Sequence, residues 1–321
     1  MTRKYDSLVA VDSLNIKVHE REIFGFIGPN GAGKTTTIRM LSGLLRPTSG
    51  TAHVAGLDIL KKTNEVKSRI GLVPELSNIY TDLSARYNLE FMAKMYRVPE
   101  RSRGKRIDAL LEEFGLADRQ NALASTFSKG MQRRLAIASA LVHDPSILFL
   151  DELTTGLDVQ SARSIHEKLR DLNKNGATIL LSTHRMHEIE ELCDRVGIID
   201  RGRLVACATV DTLRQETGEF DIIELFVHGQ GSLLRWLQES ELAKRVDFVE
   251  EDNSIRVEVE NSKRSLPEIL RMAEKLGQRV RSVSVREARL EDIFIKLTGR
   301  AIREEQTGNY SVGLQGRGYK Q

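Results

Sequence analysis

The sequence is poor in cysteine and has no large excess of charge of either sign. Its two cysteines, Cys193 and Cys207, have neither CxxC spacing nor a His/Cys cluster around them. This arrangement disfavours a disulfide framework or a zinc site and predicts inert free thiols. The 48 Lys and Arg residues oppose 45 Asp and Glu residues, with both signs interspersed, and the net charge is only +3. Such a balance gives no support to nucleic-acid binding.

Long hydrophobic runs are also absent. The longest apolar stretches, such as residues 147–150 and 179–181, are far shorter than the roughly 20 residues of a membrane-spanning helix. At the N-terminus, no apolar segment follows Arg3 and Lys4, which argues against a secretory signal peptide. We therefore expect a cytoplasmic protein that does not cross a bilayer by itself.

The length of 321 residues is enough for about two domains, and the sequence pattern changes near residue 208. Residues 1–208 alternate short β-branched apolar runs with helical patterns, which predicts an α/β domain with a largely parallel sheet. Within this domain, residues 76–127 show helical patterns and no obvious strand. They indicate an inserted helical subdomain.

Residues 209–302 are predicted to form a small accessory α+β domain. Their pattern gives the order strand, helix, strand, strand, helix, strand, which matches a ferredoxin-like split unit. Asp252 and Asn253 are typical of a hairpin turn. Residues 303–321 are aperiodic and are predicted to be a flexible tail. The six predicted elements cover residues 220–227, 232–237, 246–249, 255–259, 266–276 and 280–285.

A glycine-rich loop is the most specific feature of the sequence. It fits the pattern G-x-x-x-x-G-K-[ST] and lies between a strand-like and a helix-like segment, as a P-loop requires. Glycines let backbone N–H groups surround phosphate oxygens, Lys34 would contact the β- and γ-phosphates, and Thr35 would bind Mg²⁺ through its hydroxyl. This spacing outweighs the alternative of a chance glycine loop. The predicted nucleotide-binding residues are Gly28, Pro29, Asn30, Gly31, Ala32, Gly33, Lys34, Thr35 and Thr36.

A second motif is an apolar strand that ends in two carboxylates, Asp151 and Glu152. Asp151 can hold Mg²⁺, and Glu152 can polarise the water that attacks the γ-phosphate. Taken alone, the motif is equally compatible with an ordinary sheet edge. Together with the P-loop, it predicts ATP hydrolysis with Glu152 as a catalytic residue.

Further motifs carry a resemblance to a known family. Residues 127–132, with the sequence FSKGMQ, look like the signature loop of ATP-binding cassette (ABC) ATPases. Over residues 1–208 the chain resembles an ATP-binding subunit of an ABC transporter, and this implies the P-loop NTPase fold. The matching positions follow the family's order: Tyr5, the P-loop, Glu75, residues 127–132, Asp151-Glu152, residues 156–158 and Ser182-Thr183-His184.

The resemblance implies roles for five further residues. Tyr5 would stack on adenine, while Ser128 and Gly130 would bind the γ-phosphate of an ATP held by a second subunit. His184 would contact the γ-phosphate as the second catalytic residue, and Asp158 would organise the contact between two nucleotide-binding domains. Structural alternatives are that Tyr5 is a loose aromatic and His184 a passive residue. Ser128 and Asp158 can also serve as helix N-caps.

Three positions depart from the family pattern. Glu75 stands where the family usually has glutamine, and a carboxylate would therefore face the metal and the γ-phosphate. Lys129 replaces a glycine of the signature, and Leu153 replaces a proline after the acidic pair. The chain also begins close to Tyr5, which predicts either that the first edge strand is lacking or that the start codon lies upstream.

The resemblance implies a peripheral protein on the cytoplasmic face of a membrane. Two copies, expected to form a homodimer, would enclose ATP and Mg²⁺, with the metal held by Thr35, Glu75 and Asp151. A separate transmembrane permease subunit would dock on the helical region. The candidate surface contacts for that subunit are Tyr87, Lys94, Tyr96 and Arg97. The pattern is equally compatible with an ordinary solvated helix face.

Transport is expected to be export, because residues 204–206 and 290–298 are similar to exporter ATPases with an accessory C-terminal domain. One alternative is a soluble ABC ATPase that acts in translation or DNA repair. The single P-loop and the lack of a heptad array disfavour it. The other alternative is a protein that binds ATP without turnover, and Glu152 argues against it.

Overall fold

The computed structural model describes residues 1–76, 78–227, 231–250 and 253–299. The strands up to residue 208 are β1 (Arg3–Tyr5), β2 (Leu8–Val11), β3 (Ile23–Ile27), β4 (His53–Val54), β5 (Leu57–Asp58), β6 (Ile70–Val73), β7 (Ile147–Asp151), β8 (Thr178–Thr183), β9 (Arg195–Asp200) and β10 (Arg203–Ala208). The helices up to residue 217 are α1 (Lys34–Leu41), α2 (Thr63–Arg69), α3 (Ala85–Met95), α4 (Glu100–Glu113), α5 (Lys129–Leu141), α6 (Val159–Lys174), α7 (Met186–Leu192) and α8 (Val210–Thr217).

A six-stranded sheet forms the centre of this part of the chain, in the order β10-β9-β3-β8-β7-β6. All neighbours are parallel except β10, which pairs antiparallel with β9 at one edge. β3 is buried at every position, as expected for a central parallel strand that is covered on both faces. The predicted α/β fold with a largely parallel sheet is therefore confirmed. Parallel strands also bring the loops after β3, β7 and β8 to the same sheet edge.

Helices α3 and α4 are inserted between β6 and β7. Leu89 of α3 and Ile107, Leu110 and Leu111 of α4 are buried in a cluster that also contains Leu135 of α5. These positions recur at helical spacing, which explains why the sequence pattern predicts this region as helical. The described residues between β6 and β7 form no strand. The insertion is therefore helical, as predicted.

The C-terminal part forms a second sheet with the order β12-β13-β11-β14. All of its neighbouring strands are antiparallel, so that β13 separates two parallel strands, β11 and β12, as in a ferredoxin-like split unit. Asp252 and residues 303–321 of the predicted turn and tail lie outside the described residues. The elements are β11 (Asp221–Val227), α9 (Gly231–Glu239), β12 (Ala243–Val249), β13 (Ser254–Val259), α10 (Ser262–Lys275) and β14 (Val280–Arg286).

The last helix within the described ranges, α11 (Leu290–Thr298), has no counterpart in the six elements predicted from the sequence. Its residues Leu290, Ile293 and Phe294 are buried against α7, α8 and β10 of the first sheet. The backbone N–H of Leu290 donates to Glu190 at 2.9 Å. The chain thus returns from the second sheet and packs on the first.

The N-terminal residues form a short hairpin. Strand β1 pairs antiparallel with β2, with Tyr5 opposite Leu8. Asp6 has a φ of 46°, which allows a tight turn between the two strands. A strand, β1, thus ends at the aromatic residue Tyr5. Among the helices of the described ranges, none has the length and apolar character that crossing a bilayer requires.

Candidate active site

The P-loop joins β3 to α1 and packs tightly against neighbouring backbone. Gly33 has a φ of 109°, and a Cβ at this position would lie 2.6 Å from the carbonyl oxygen of Ala10 in β2. A Cβ on Gly28 would lie 2.2 Å from the carbonyl oxygen of Ile199 in β9. Only glycine fits at either position. Gly33 also precedes the first turn of α1 without a side-chain cap, which leaves backbone N–H groups for an anion.

Lys34 lies inside this loop. Its Nζ donates to the carbonyl oxygens of Gly28 at 2.7 Å and of Pro29 at 3.3 Å, and it lies 3.5 Å from Oε1 of Glu152. Burial lowers the pKa of Lys34, and the negative charge of Glu152 opposes that shift. The P-loop lysine and the predicted catalytic carboxylate thus form one buried pair.

Glu152 also contacts His184, the residue predicted to sense the γ-phosphate. Nδ1 of His184 donates to Oε2 of Glu152 at 2.8 Å, and the hydroxyl of Thr155 donates to the same oxygen at 3.2 Å. Burial raises the pKa of Glu152, but the hydrogen bond from His184 and the charge of Lys34 outweigh burial and lower it. The hydrogen bond to Glu152 raises the pKa of His184.

These opposite shifts make the His184–Glu152 pair dependent on pH. The pair makes its full contribution to the free energy of unfolding between about pH 4.5 and about pH 6.5, the ordinary pKa values of the two side chains. This contribution is lost as pH falls through the lowered pKa of Glu152 or rises through the raised pKa of His184. We expect His184→Gln to lower the melting temperature more at about pH 6 than at about pH 9. Thermal unfolding of both proteins at the two pH values measures this difference. The control is His187→Gln, an exposed histidine on α7; an equal loss at both pH values for His184→Gln would contradict the assignment.

The predicted metal-binding residues occupy different surroundings. Asp151 is buried at the end of β7 and accepts a hydrogen bond from the hydroxyl of Ser182. Thr35 is half-buried in α1, next to Lys34, whereas Glu75 is exposed after β6. Within the described residues, no group of three or more His, Cys, Asp or Glu side chains could hold a metal. A metal at Thr35 and Asp151 would therefore need further oxygen atoms from a phosphate or from water.

The predicted signature residues lie at the start of α5. Ser128 caps this helix by accepting the N–H of Met131 at 3.2 Å. A Cβ on Gly130 would lie 2.6 Å from Oγ of Ser161, which in turn donates to Asp158 at 2.7 Å. Asp158 also caps α6, and the N–H of Ser161 lowers its pKa. The structure therefore brings the signature loop and Asp158 together, with both Ser128 and Asp158 acting as N-caps.

Tyr5 lies in the N-terminal hairpin, outside the main sheet. The residue is 40% exposed, and the guanidinium of Arg3 lies 4.5 Å from its ring centroid. The hairpin that carries Tyr5 reaches the P-loop through Ala10, whose carbonyl oxygen approaches Gly33. The position next to the P-loop is compatible with adenine stacking on the open ring face.

Two buried contacts near the site were not predicted. Arg133 of α5 is only 7% exposed and donates to four backbone carbonyl groups around Glu152. Glu188 of α7 accepts a hydrogen bond from the hydroxyl of Thr154, in the loop after Glu152. No sequence pattern separates Arg133 from its neighbour Arg134, which is only half-buried on the same helix. No sequence pattern singles out Glu188.

The fold and this site define a P-loop ATPase. Residues 11–155 match the family model described as ABC transporter, and residues 209–298 match the C-terminal domain of DrrA1-3-like ATP-binding proteins. The linearmycin resistance ATP-binding protein LnrL of Bacillus subtilis (strain 168) is 37% identical over 304 residues, which cover 94% of this chain and 97% of that protein. The Nod factor export ATP-binding protein I of Cupriavidus pinatubonensis (strain JMP 134 / LMG 1197) is also 37% identical, over 94% of this chain and 90% of that protein.

A solved structure gives the same fold. A dimeric ATP-binding cassette in a post-hydrolysis state, bound to ADP and Pi, matches with a TM-score of 0.59 and 26% identity over 65% of this chain and 95% of that chain. The chain thus belongs to the ABC transporter family, as an ATP-binding and ATP-hydrolysing subunit. The resemblance drawn from its motifs is confirmed.

Proposed function

We propose that this subunit hydrolyses ATP with Glu152 as the base and His184 as its partner, and that the reaction drives export through a separate permease subunit. The observation that carries this proposal is the position of Glu152 between Lys34 at 3.5 Å and His184 at 2.8 Å. A carboxylate whose pKa is lowered in this way stays ionised at neutral pH. It is therefore available to polarise an attacking water beside the phosphate that the P-loop holds.

The residues of the site divide the tasks of this mechanism between them. The N–H groups of the P-loop and the first turn of α1 bind the phosphates, and Lys34 adds a positive charge. Its bonds to Gly28 and Pro29 would be exchanged for phosphate oxygens when ATP binds. Glu152 orients the water, and His184 holds the carboxylate in place and contacts the γ-phosphate. Release of that phosphate removes the negative charge that Lys34 and His184 contact.

Mg²⁺ fits the oxygen donors available here. The hydroxyl of Thr35 and the carboxylate of Asp151 are hard ligands of the kind this ion prefers, and the hydrogen bond from Ser182 fixes the orientation of Asp151. When bound, the ion would neutralise charge on the β- and γ-phosphates. Glu75, although exposed, lies close enough to raise the pKa of Lys34 electrostatically and is the third proposed ligand.

We infer that two copies complete the site. Ser128 and Gly130 lie at the N-terminus of α5, where backbone N–H groups and the helix dipole favour an anion held by the other copy. Val159, beside Asp158, is 86% exposed, as expected of an apolar residue that a second copy would cover. The dimeric state of the related cassette supports this arrangement.

The docking surface for the permease is proposed on the helical insertion. A patch of exposed apolar side chains includes Tyr87 and Met95 on one face of α3, and the ring of Tyr80 packs edge-on against Phe91 at 4.8 Å. Exposed apolar patches of this kind mark interaction sites. Tyr96, a contact predicted from the sequence, is half-buried, and one face of its ring stacks on His143 with centroids 3.7 Å apart. Tyr87, Lys94 and Arg97 are exposed.

Charge placed in this patch should release the protein from membranes. We expect the double variant Tyr87→Glu, Met95→Glu to keep ATP hydrolysis in solution but to lose most of its sedimentation with membranes of the source cells, because glutamate disfavours burial in an apolar interface. The matched control is Leu44→Glu, an exposed leucine outside the patch. Unchanged sedimentation of the double variant would contradict the docking surface.

The proposed domain limits are residues 1–208 for the ATPase and 209–302 for the accessory domain. The export direction is supported by the names of relatives, which include a Nod factor export protein and a linearmycin resistance protein. Purification of the protein with its bound partners tests the assignment: co-purification of an integral membrane subunit supports it. A purely ribosomal or DNA-bound complex would instead support the soluble alternative.

A further inference from the structure

Arg133 is a buried cation that touches two loops of the active site at once. Its Nε donates to the carbonyl oxygen of Leu153 at 2.6 Å, and its Nη2 donates to that of Glu152 at 2.8 Å. On the other side, Nη1 donates to Pro74 at 2.8 Å and Nη2 to Glu75 at 3.1 Å. One planar guanidinium therefore joins the loop after β6 to the loop after β7.

The backbone that Arg133 holds is an unusual one. Glu152 has a φ of 49°, a left-handed conformation that residues other than glycine, asparagine and aspartate rarely adopt. Such a conformation persists only where the surroundings hold it on several sides. Here the N–H of Glu152 donates to Ser182 at 3.0 Å, and the carbonyl groups of Glu152 and Leu153 accept from Arg133. The left-handed turn aims the carboxylate of Glu152 at Lys34 and His184.

The geometry requires arginine rather than a cation in general. Four of the five N–H bonds of a guanidinium are used here, and its fixed fork matches carbonyl groups in two directions. A lysine ammonium at the same position could satisfy only some of these acceptors. Burial lowers the pKa of Arg133, and the nearby negative charges of Glu75, Asp151 and Glu152 oppose that shift.

We propose that Arg133 is a positioning residue that holds Glu152 in its left-handed conformation and couples it to α5, the helix capped by Ser128. The signature end of α5 and the catalytic carboxylate then move as one unit. This inference rests on the proposed role of Glu152 in hydrolysis.

The test compares two neighbouring arginines of α5. We expect Arg133→Lys to lower kcat about 10- to 100-fold, with KM for ATP changed less than about threefold, because the carboxylate is misplaced while the P-loop is intact. Arg134→Lys is the matched control, since Arg134 contacts only the carbonyl oxygen of Phe114 among the described hydrogen bonds. The kcat of Arg134→Lys should stay within about twofold of that of the parent protein. Thermal unfolding and nucleotide binding establish that each variant is folded. If Arg133→Lys does not fold, the same comparison is made with Arg133→Gln.

A double variant separates positioning from a general structural role. Arg133→Lys combined with Glu152→Gln should hydrolyse ATP at the rate of Glu152→Gln alone, within about twofold, because groups that act as a unit are not additive. A further drop in the double variant, or parental turnover in Arg133→Lys, would overturn the inference. Parental turnover in Glu152→Gln is a different result: it would overturn the proposed function itself.

Discussion

Replacement of Glu152 by glutamine is expected to slow ATP hydrolysis by about two to four orders of magnitude while ATP binding is retained. Glutamine has nearly the same shape as glutamate and can keep the hydrogen bond with His184, but it cannot accept a proton from water. It also removes the charge that pairs with Lys34 at 3.5 Å. Phosphate release measures the rate of hydrolysis, and a nucleotide-binding titration on the same preparation measures the affinity for ATP.

The matched control for this variant is Glu167→Gln. Glu167 lies on the exposed face of α6, where it pairs with Arg163 four residues earlier, and such surface pairs contribute little. Its turnover should equal that of the parent. Because two copies are proposed to complete the site around ATP, Glu152→Gln, which binds ATP without turning it over, should also accumulate dimers with ATP in size-exclusion chromatography. If Glu152→Gln stays monomeric with ATP and keeps full activity, Glu152 is not the base and the site is not shared between two copies.

Lys34→Ala should weaken ATP binding about 10- to 100-fold, since a hydrogen bond to a charged group contributes about 1.5–3 kcal/mol. The variant removes the buried cation that contacts two P-loop carbonyl groups and leaves the carboxylate of Glu152 without that neighbour. Titration with a fluorescent ATP analogue at fixed ionic strength measures the affinity.

The control for this second variant is Lys62→Ala. Lys62 is an exposed lysine that pairs with Glu65 at the start of α2, and its loss tests whether removal of one positive charge alone changes ATP affinity. We expect no change for Lys62→Ala. Equal affinities of Lys34→Ala and the parent would show that the loop does not use this lysine for phosphate.

The motifs within single segments were predictable because the chemistry of each is local. The P-loop needs only its own glycines, Lys34 and the strand and helix on either side, and the acidic strand that ends at Asp151 is recognisable by its apolar run. The parallel sheet that joins these segments also follows from alternating strand and helix patterns. Adjacent strands then bring His184 to Glu152, although 32 residues separate them in sequence.

Contacts that depend on tertiary packing were not predictable. The burial of Arg133 results from helices and loops that surround α5, and its four acceptors lie 19 to 59 residues away along the chain. The stacking of Tyr96 on His143 likewise depends on how α3 approaches the end of α5. Helix α11 was missed for another reason. Its apolar positions have helical spacing, but they pack in a core with residues of the first sheet and α7, outside the split unit to which the other C-terminal elements belong.

The packing of α11 makes the accessory domain inseparable from the ATPase. Leu290, Ile293 and Phe294 cover Ile198 and Met186 in a joint hydrophobic cluster. Truncation of the chain after residue 208 would remove these covering side chains and expose apolar residues at one edge of the first sheet to water. The C-terminal domain is therefore not a detachable unit, because α11, the last helix of the described residues, forms part of the hydrophobic core of the ATPase.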